Sequence, residues 1–181
     1  RMGVEQVYYD AFIRAKEYGE LWETYEKESS KKKSKAVPPK RDLQMDALLE
    51  ILNKVRFITC HSYVQSEINM LMHVADSMGF TLNTFTHILE GYKVADKMKE
   101  HGAGGSTFSD WWAYKYEVKD AIPYNASLLN QMGIVTAINS DDAEMGRRLN
   151  QEAAKGIKYG GMSEEEALKM VTLNPAKLLH L

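Results

Sequence analysis

Apolar positions along the chain change period several times, and each change marks an element. From Val4 to Glu28 they recur at three- and four-residue steps: Val7, Tyr8, Ala11, Phe12, Ala15, Tyr18, Leu21, Trp22 and Tyr25. Glu5, Asp10, Arg14, Lys16, Glu17 and Glu20 fill the other side, so the spacing predicts one long amphipathic helix. A second helix is predicted from Asp42, its cap, to Lys54, with Leu43, Ala47, Leu48, Ile51 and Leu52 inward. From there β-rich and helical runs alternate. Strands are expected at Val55–Cys60, Thr81–Thr86, His101–Phe108 and Ile134–Ile138, and helices at Val64–Met78, Tyr92–His101, Asn125–Met132 and Ala143–Lys158. Ser163 opens a last helix with three glutamates in its first turn, and Asn174–Pro175 is expected to end it and start a final turn.

Strand–helix alternation of this kind predicts an α/β fold with a parallel sheet. A complete (β/α)8 barrel has eight strands and needs about 250 residues. The chain has 181 residues and four legible strands, so the expectation is a partial TIM-like barrel, one half-barrel over residues 1–181 with a long N-terminal helix.

Two of the strands run into histidines: Thr59-Cys-His61-Ser-Tyr63 and Thr84-Phe-Thr-His87. A third runs into Asn139-Ser-Asp141-Asp142. In a parallel barrel the C-terminal strand ends share one rim, where active sites are built. Imidazole is the commonest side-chain metal ligand. A carboxylate on the same rim can bind a metal, take a proton from water, or cap the following helix. Asp110-Trp-Trp-Ala-Tyr-Lys-Tyr116 puts four aromatics in six positions on this rim. Trp111 and Trp112 are candidates for a substrate wall, or for a loop stapled by buried rings. The glycines at 102–105 match neither a Walker loop nor a dinucleotide fingerprint, and are read as places of close backbone approach.

Net charge is −2, which exerts no whole-chain pull toward nucleic acid or anionic membrane. The basic stretch Ser29–Lys35 lacks interleaved aromatics, so residues 29–40 are read as a mobile, solvated loop with no role on nucleic acid. One cysteine excludes an internal disulfide framework. No apolar run approaches the roughly 20 residues that span a bilayer, and no signal peptide is visible at the start. The expectation is a soluble chain, cytoplasmic or periplasmic, with no membrane partner.

At His61, His87 and Asp141 the chain resembles the metal-dependent amidohydrolase superfamily, and among its members the imidazolonepropionase-like amidohydrolases. The resemblance is carried by Thr59-Cys-His-Ser-Tyr63, Thr84-Phe-Thr-His-Ile-Leu-Glu-Gly91, Asn139-Ser-Asp-Asp-Ala-Glu-Met145 and Val171-Thr-Leu-Asn-Pro-Ala-Lys-Leu178. It implies that the strands are roughly strands 5 to 8, and that His61, His87 and Asp141 bind a divalent metal, zinc by expectation. It implies that Asp141 is also the catalytic proton carrier, and that the reaction is hydrolysis of a C–N bond in a small amide, acylated amino acid or dipeptide. Tyr63, Trp111, Trp112, Asn139 and Asp142 are the expected substrate contacts. The family's first-strand His-x-His occurs nowhere in this sequence, and neither terminus supplies the family's small β-sandwich. The chain alone is therefore expected to be inactive unless it pairs with another copy or a complementary half. The alternative is a non-catalytic half-barrel that self-associates through open sheet edges, giving a homo-oligomer.

Overall fold

The computed structural model describes residues 2–31 and 35–181. Lys32, Lys33 and Ser34, the centre of the basic loop, lie outside the described residues. The chain forms two compact units.

The first unit holds the residues up to Phe57 together with Val74–Phe80. Helix α1 (Met2–Ser29) packs against α2 (Leu43–Leu52). Asp42 caps α2 as expected, its carboxylate accepting from the amides of Gln44 and Met45. Ala15, Tyr18 and Met45 are buried between the helices, with Trp22, Leu48, Leu49 and Leu52 around them. Gly19 permits the close approach, since a β-carbon there would stand 2.9 Å from Leu49 Cδ1. The apolar stripe of α1 is wider than one neighbouring helix covers: Val7 and Leu21, expected inward, are 66% and 59% exposed.

The second unit holds Ile58–His73 and Thr81–Leu181. It is α/β, with four parallel strands: β1 (Thr59–His61), β2 (Thr84–Thr86), β3 (Gly104–Thr107) and β4 (Thr136–Ile138). They lie side by side in chain order, as a section of a barrel requires. The connecting helices are α3 (Gln65–Met78, counted in this unit as far as His73), α4 (Ala95–His101), α5 (Asn125–Gln131), α6 (Ala143–Gly146) and α7 (Leu149–Gly160), followed by α8 (Glu164–Lys169) and α9 (Leu173–Leu178).

Several boundaries differ from the sequence pattern. Val55 is not in a strand: its amide bonds back to the Glu50 carbonyl and closes the end of α2. His101 closes α4 instead of opening β3, and Gly102 takes the left-handed conformation after it (φ +87°). Gly104 and Gly105 lie within β3, where a β-carbon on Gly104 would meet the Leu178 side chain and stand 3.2 Å from the Val135 carbonyl oxygen. The expected helix from Ala143 breaks at Arg147–Arg148, where Arg148 leaves helical geometry (φ −122°, ψ 26°). Asn174 and Pro175 do not end a helix but sit in the first turn of α9, where no intrahelical N–H is needed.

Asn125 ties the loop after β2 to β3. It is 1% exposed; its Nδ2 donates to Ile88 O (2.7 Å) and Thr107 Oγ1 (2.9 Å), and its Oδ1 accepts from Tyr92 N (2.9 Å). Asn125→Ala strands a carbonyl and an amide away from water and is expected to cost about 3 kcal/mol, read from the denaturant midpoint. In the first unit, the Tyr18 hydroxyl (2.7 Å) and the Arg41 guanidinium (2.9 Å) hold the Asp46 carboxyl below its ordinary 3.8. The folded chain therefore binds that proton less tightly than the unfolded chain. The contribution is present above pH 3.8 and is lost as pH falls through the lower folded-state value. Tyr18→Phe is expected to flatten the dependence of stability on pH below about 4, measured by urea unfolding at a series of pH values.

Candidate functional site

Because the strands are parallel and in register, their C-terminal ends present successive residues to one rim. His61 ends β1, His87 follows β2, Phe108 follows β3, and Asn139 to Asp142 follow β4. The register bonds are continuous there: Ser62 N donates to Thr86 O, Ile88 N to Ser106 O, and Asn139 N to Thr107 O.

His87 is the centre of this rim. It is 4% exposed, and its backbone has φ +67°, a left-handed conformation unusual for a side chain other than glycine. Phe108 stacks on one side of the ring (centroids 4.9 Å apart, planes 8° apart), and Tyr63 also lies nearly parallel to it at 5.9 Å. The His61 ring meets it edge-on at 4.6 Å. Asp141 Oδ2 lies 3.5 Å from His87 Nε2, and Asp141 too has positive φ, +53°. Two left-handed residues, on the loops after β2 and β4, face each other and mark strain at the point where the side chains converge.

Asn139 holds the other side of the imidazole, with Nδ2 2.9 Å from His87 Nδ1. In this orientation Nδ1 accepts, so a neutral ring carries its proton on Nε2, toward Asp141. The Asn139 Oδ1 is buried and has no partner. Rotating the amide by half a turn puts that oxygen on Nδ1–H and frees the Nε2 lone pair. Burial lowers the pKa of His87 below 6.5; Asp141 opposes this, while His61 and Lys115 add to it. The ring is therefore neutral at neutral pH, the form that can ligate an ion or accept a proton.

The remaining expected residues divide. Tyr63 and Trp111 join the aromatic row, Trp111 lying 5.4 Å from Phe108 and 5.1 Å from Tyr114. Trp112 is 44% exposed. The Asp142 carboxylate caps α6, accepting from the amides of Glu144 and Met145 at 2.9 Å each. Of the two adjacent aspartates one caps and the other faces the imidazole. His101 has a local task, accepting a hydrogen bond from Leu82 N. Residues not singled out by sequence matter as well. Phe108, one position past β3, could have been found as a strand-end residue. Glu152 and Lys155 had no such signal. They anchor the aromatic loop from α7: Lys155 pairs with Asp110 and Glu152, and Ser109 donates to Glu152.

No family model matches this chain, and no curated protein does. Among solved structures it is similar to an amidohydrolase from Thermotoga maritima MSB8, with 27% identity and a TM-score of 0.86. The likeness supports an amidohydrolase. It covers all of this chain and 46% of that one, so the chain spans about half the length of the amidohydrolase it matches.

Two imidazoles and a carboxylate are suitable donors for a divalent ion. Their arrangement does not enclose one: among the described residues no group of three or more His, Cys, Asp or Glu side chains is set to hold an ion. Asp141 is turned onto the His87 ring.

Phe108→Ala removes the ring that backs His87 and is expected to cost about 3–5 kcal/mol. Phe108→Leu keeps most of the volume and is expected to cost about 1 kcal/mol. Denaturant unfolding of both variants separates packing from ring stacking.

Proposed function

We propose that this chain is the C-terminal part of the barrel of a metal-dependent amidohydrolase, roughly strands 5 to 8, that hydrolyses C–N bonds in small amides, acylated amino acids or dipeptides. The observation that carries the reading is the convergence of His61, His87 and Asp141 at the C-terminal ends of parallel strands. The sequence phrases around these residues favour the imidazolonepropionase-like branch. His61, His87 and Asp141 would hold a divalent ion, zinc by donor type, together with donors this chain lacks. Such an ion supplies hydroxide near neutral pH by acidifying bound water. Within the chain, Asn139 orients His87 through Nδ1, Phe108 and Tyr63 keep that ring in place, and the Asp141 carboxylate is the proton acceptor and donor. Tyr63 and Trp111 wall the substrate space.

A second reading has its own observation. In the four-stranded sheet β1 and β4 each have one strand neighbour, and a cavity of about 180 Å³ opens along the sheet, lined in part by Thr59, Thr84, Thr86, Ser106 and Asn139. Edges and a face of this kind favour pairing with a second copy or with a complementary half, leaving the chain a non-catalytic component by itself.

Calorimetric titration with zinc separates the two. Binding by the wild-type chain that disappears in the His61→Ala/His87→Ala variant, and weakens about tenfold to a hundredfold in Asn139→Ala, supports the metallohydrolase. Absence of binding in all three, with a dimer in sedimentation, leaves the assembly reading.

A further inference from the structure

Among the described residues, the lysines on or packed against the loops that follow β2 and β3 are, with one exception, paired with carboxylates. Lys93 pairs with Glu90 and Asp120, Lys119 with Asp120, and Lys155 with Asp110 and Glu152. Lys115 is the exception. Its ammonium lies 3.9 Å from the centre of the Tyr63 ring and 5.4 Å from that of Tyr114. The groups acting on it are the Tyr63 and Tyr114 phenols, and no carboxylate is among them. Burial opposes its charge, but the two phenols outweigh burial and its pKa is raised, so the ammonium stays protonated.

The charge is also close to the rim centre, since Lys115 is one of the groups that lower the proton affinity of His87. Its loop is held in an unusual conformation. Trp111 and Ala113 have φ +70° and +52°, and Ala113 N donates to Val118 O. The loop thus presents a positive charge on aromatic faces beside the imidazole without neutralising it. An ammonium offers three donors, and a phenol that accepts from it still has its own proton to give. The Tyr114 and Tyr63 hydroxyls also bond to each other, so the cluster offers an incoming anion one ammonium N–H and one phenol O–H, and the contacts with phenols and ring faces leave the charge without a carboxylate partner.

We propose that Lys115, with the Tyr63 and Tyr114 hydroxyls, is an anion-recognition subsite that takes the carboxylate of the substrate. The substrate class is then N-acylated amino acids or dipeptides with a free carboxylate, in preference to neutral amides. Naming the anion as substrate rests on the hydrolase reading; the existence of the subsite does not.

The test is an NMR titration of the isotope-labelled chain at neutral pH with N-acetylglycine and, separately, with its neutral analogue N-acetylglycinamide. The amides of residues 114–116 and the Trp111 indole N–H are followed. The carboxylate is expected to produce saturable shifts at a concentration at least tenfold lower than the amide does, a difference of about 1.4 kcal/mol. Lys115→Met is expected to remove this preference and Lys115→Arg to keep most of it, with circular dichroism showing both folded. A purely structural lysine would not change the ratio of acid to amide. Equal responses to both probes in the wild type, no response to either, or a preference that survives in Lys115→Met would overturn the subsite. The readout needs neither metal nor turnover. Carboxylate preference without zinc binding removes the hydrolase reading and leaves an anion site; zinc binding without preference leaves the hydrolase and removes the subsite.

Discussion

Parallel pairing is the constraint on which the site depends. When neighbouring strands run in one direction, every strand delivers its last residue to the same rim, and each connection must return along the outside through a helix. His61 and Thr86 are register partners, as are Thr107 and Ile138. One residue further along each of the last three strands stand His87, Phe108 and Asn139, which stack on or hydrogen-bond with one another. Residues 21 or more apart in sequence meet because the register leaves their strand ends level.

That meeting is costly, and local devices hold it. His87 and Asp141 occupy left-handed backbone, which costs free energy that surrounding contacts must offset. Asn125 satisfies the buried groups beneath the β2 loop, and Phe108 backs the imidazole with a full ring face. The Lys155–Glu152–Asp110 cluster fixes the start of the aromatic loop. These contacts make the site a property of the scaffold, with His87 already neutral, already oriented and largely removed from water before any ligand arrives.

The rim also has a charge design. Paired lysines keep the outer loops neutral, while Lys115 keeps its charge on ring faces. Asp141 and Lys115 act on His87 in opposite directions.

The sequence by itself determined much of this. Strand–helix alternation made a parallel sheet the economical reading, and a histidine or aspartate at three of the four strand ends was legible because strand ends are punctuated locally. Asp42 and Ser163 announced their caps, since an N-cap is a contact between residues two or three apart. What depends on distant partners was not legible. The burial of only part of the α1 stripe followed from what packed on it, and Asn174–Pro175 lay inside a helix because the Asn174 side chain donates to the Thr136 carbonyl across the fold. Sequence could say that Asp141 or Asp142 would cap, but not which. The tertiary structure decided that, by turning Asp141 through a left-handed backbone toward His87 and leaving Asp142 over the α6 amides.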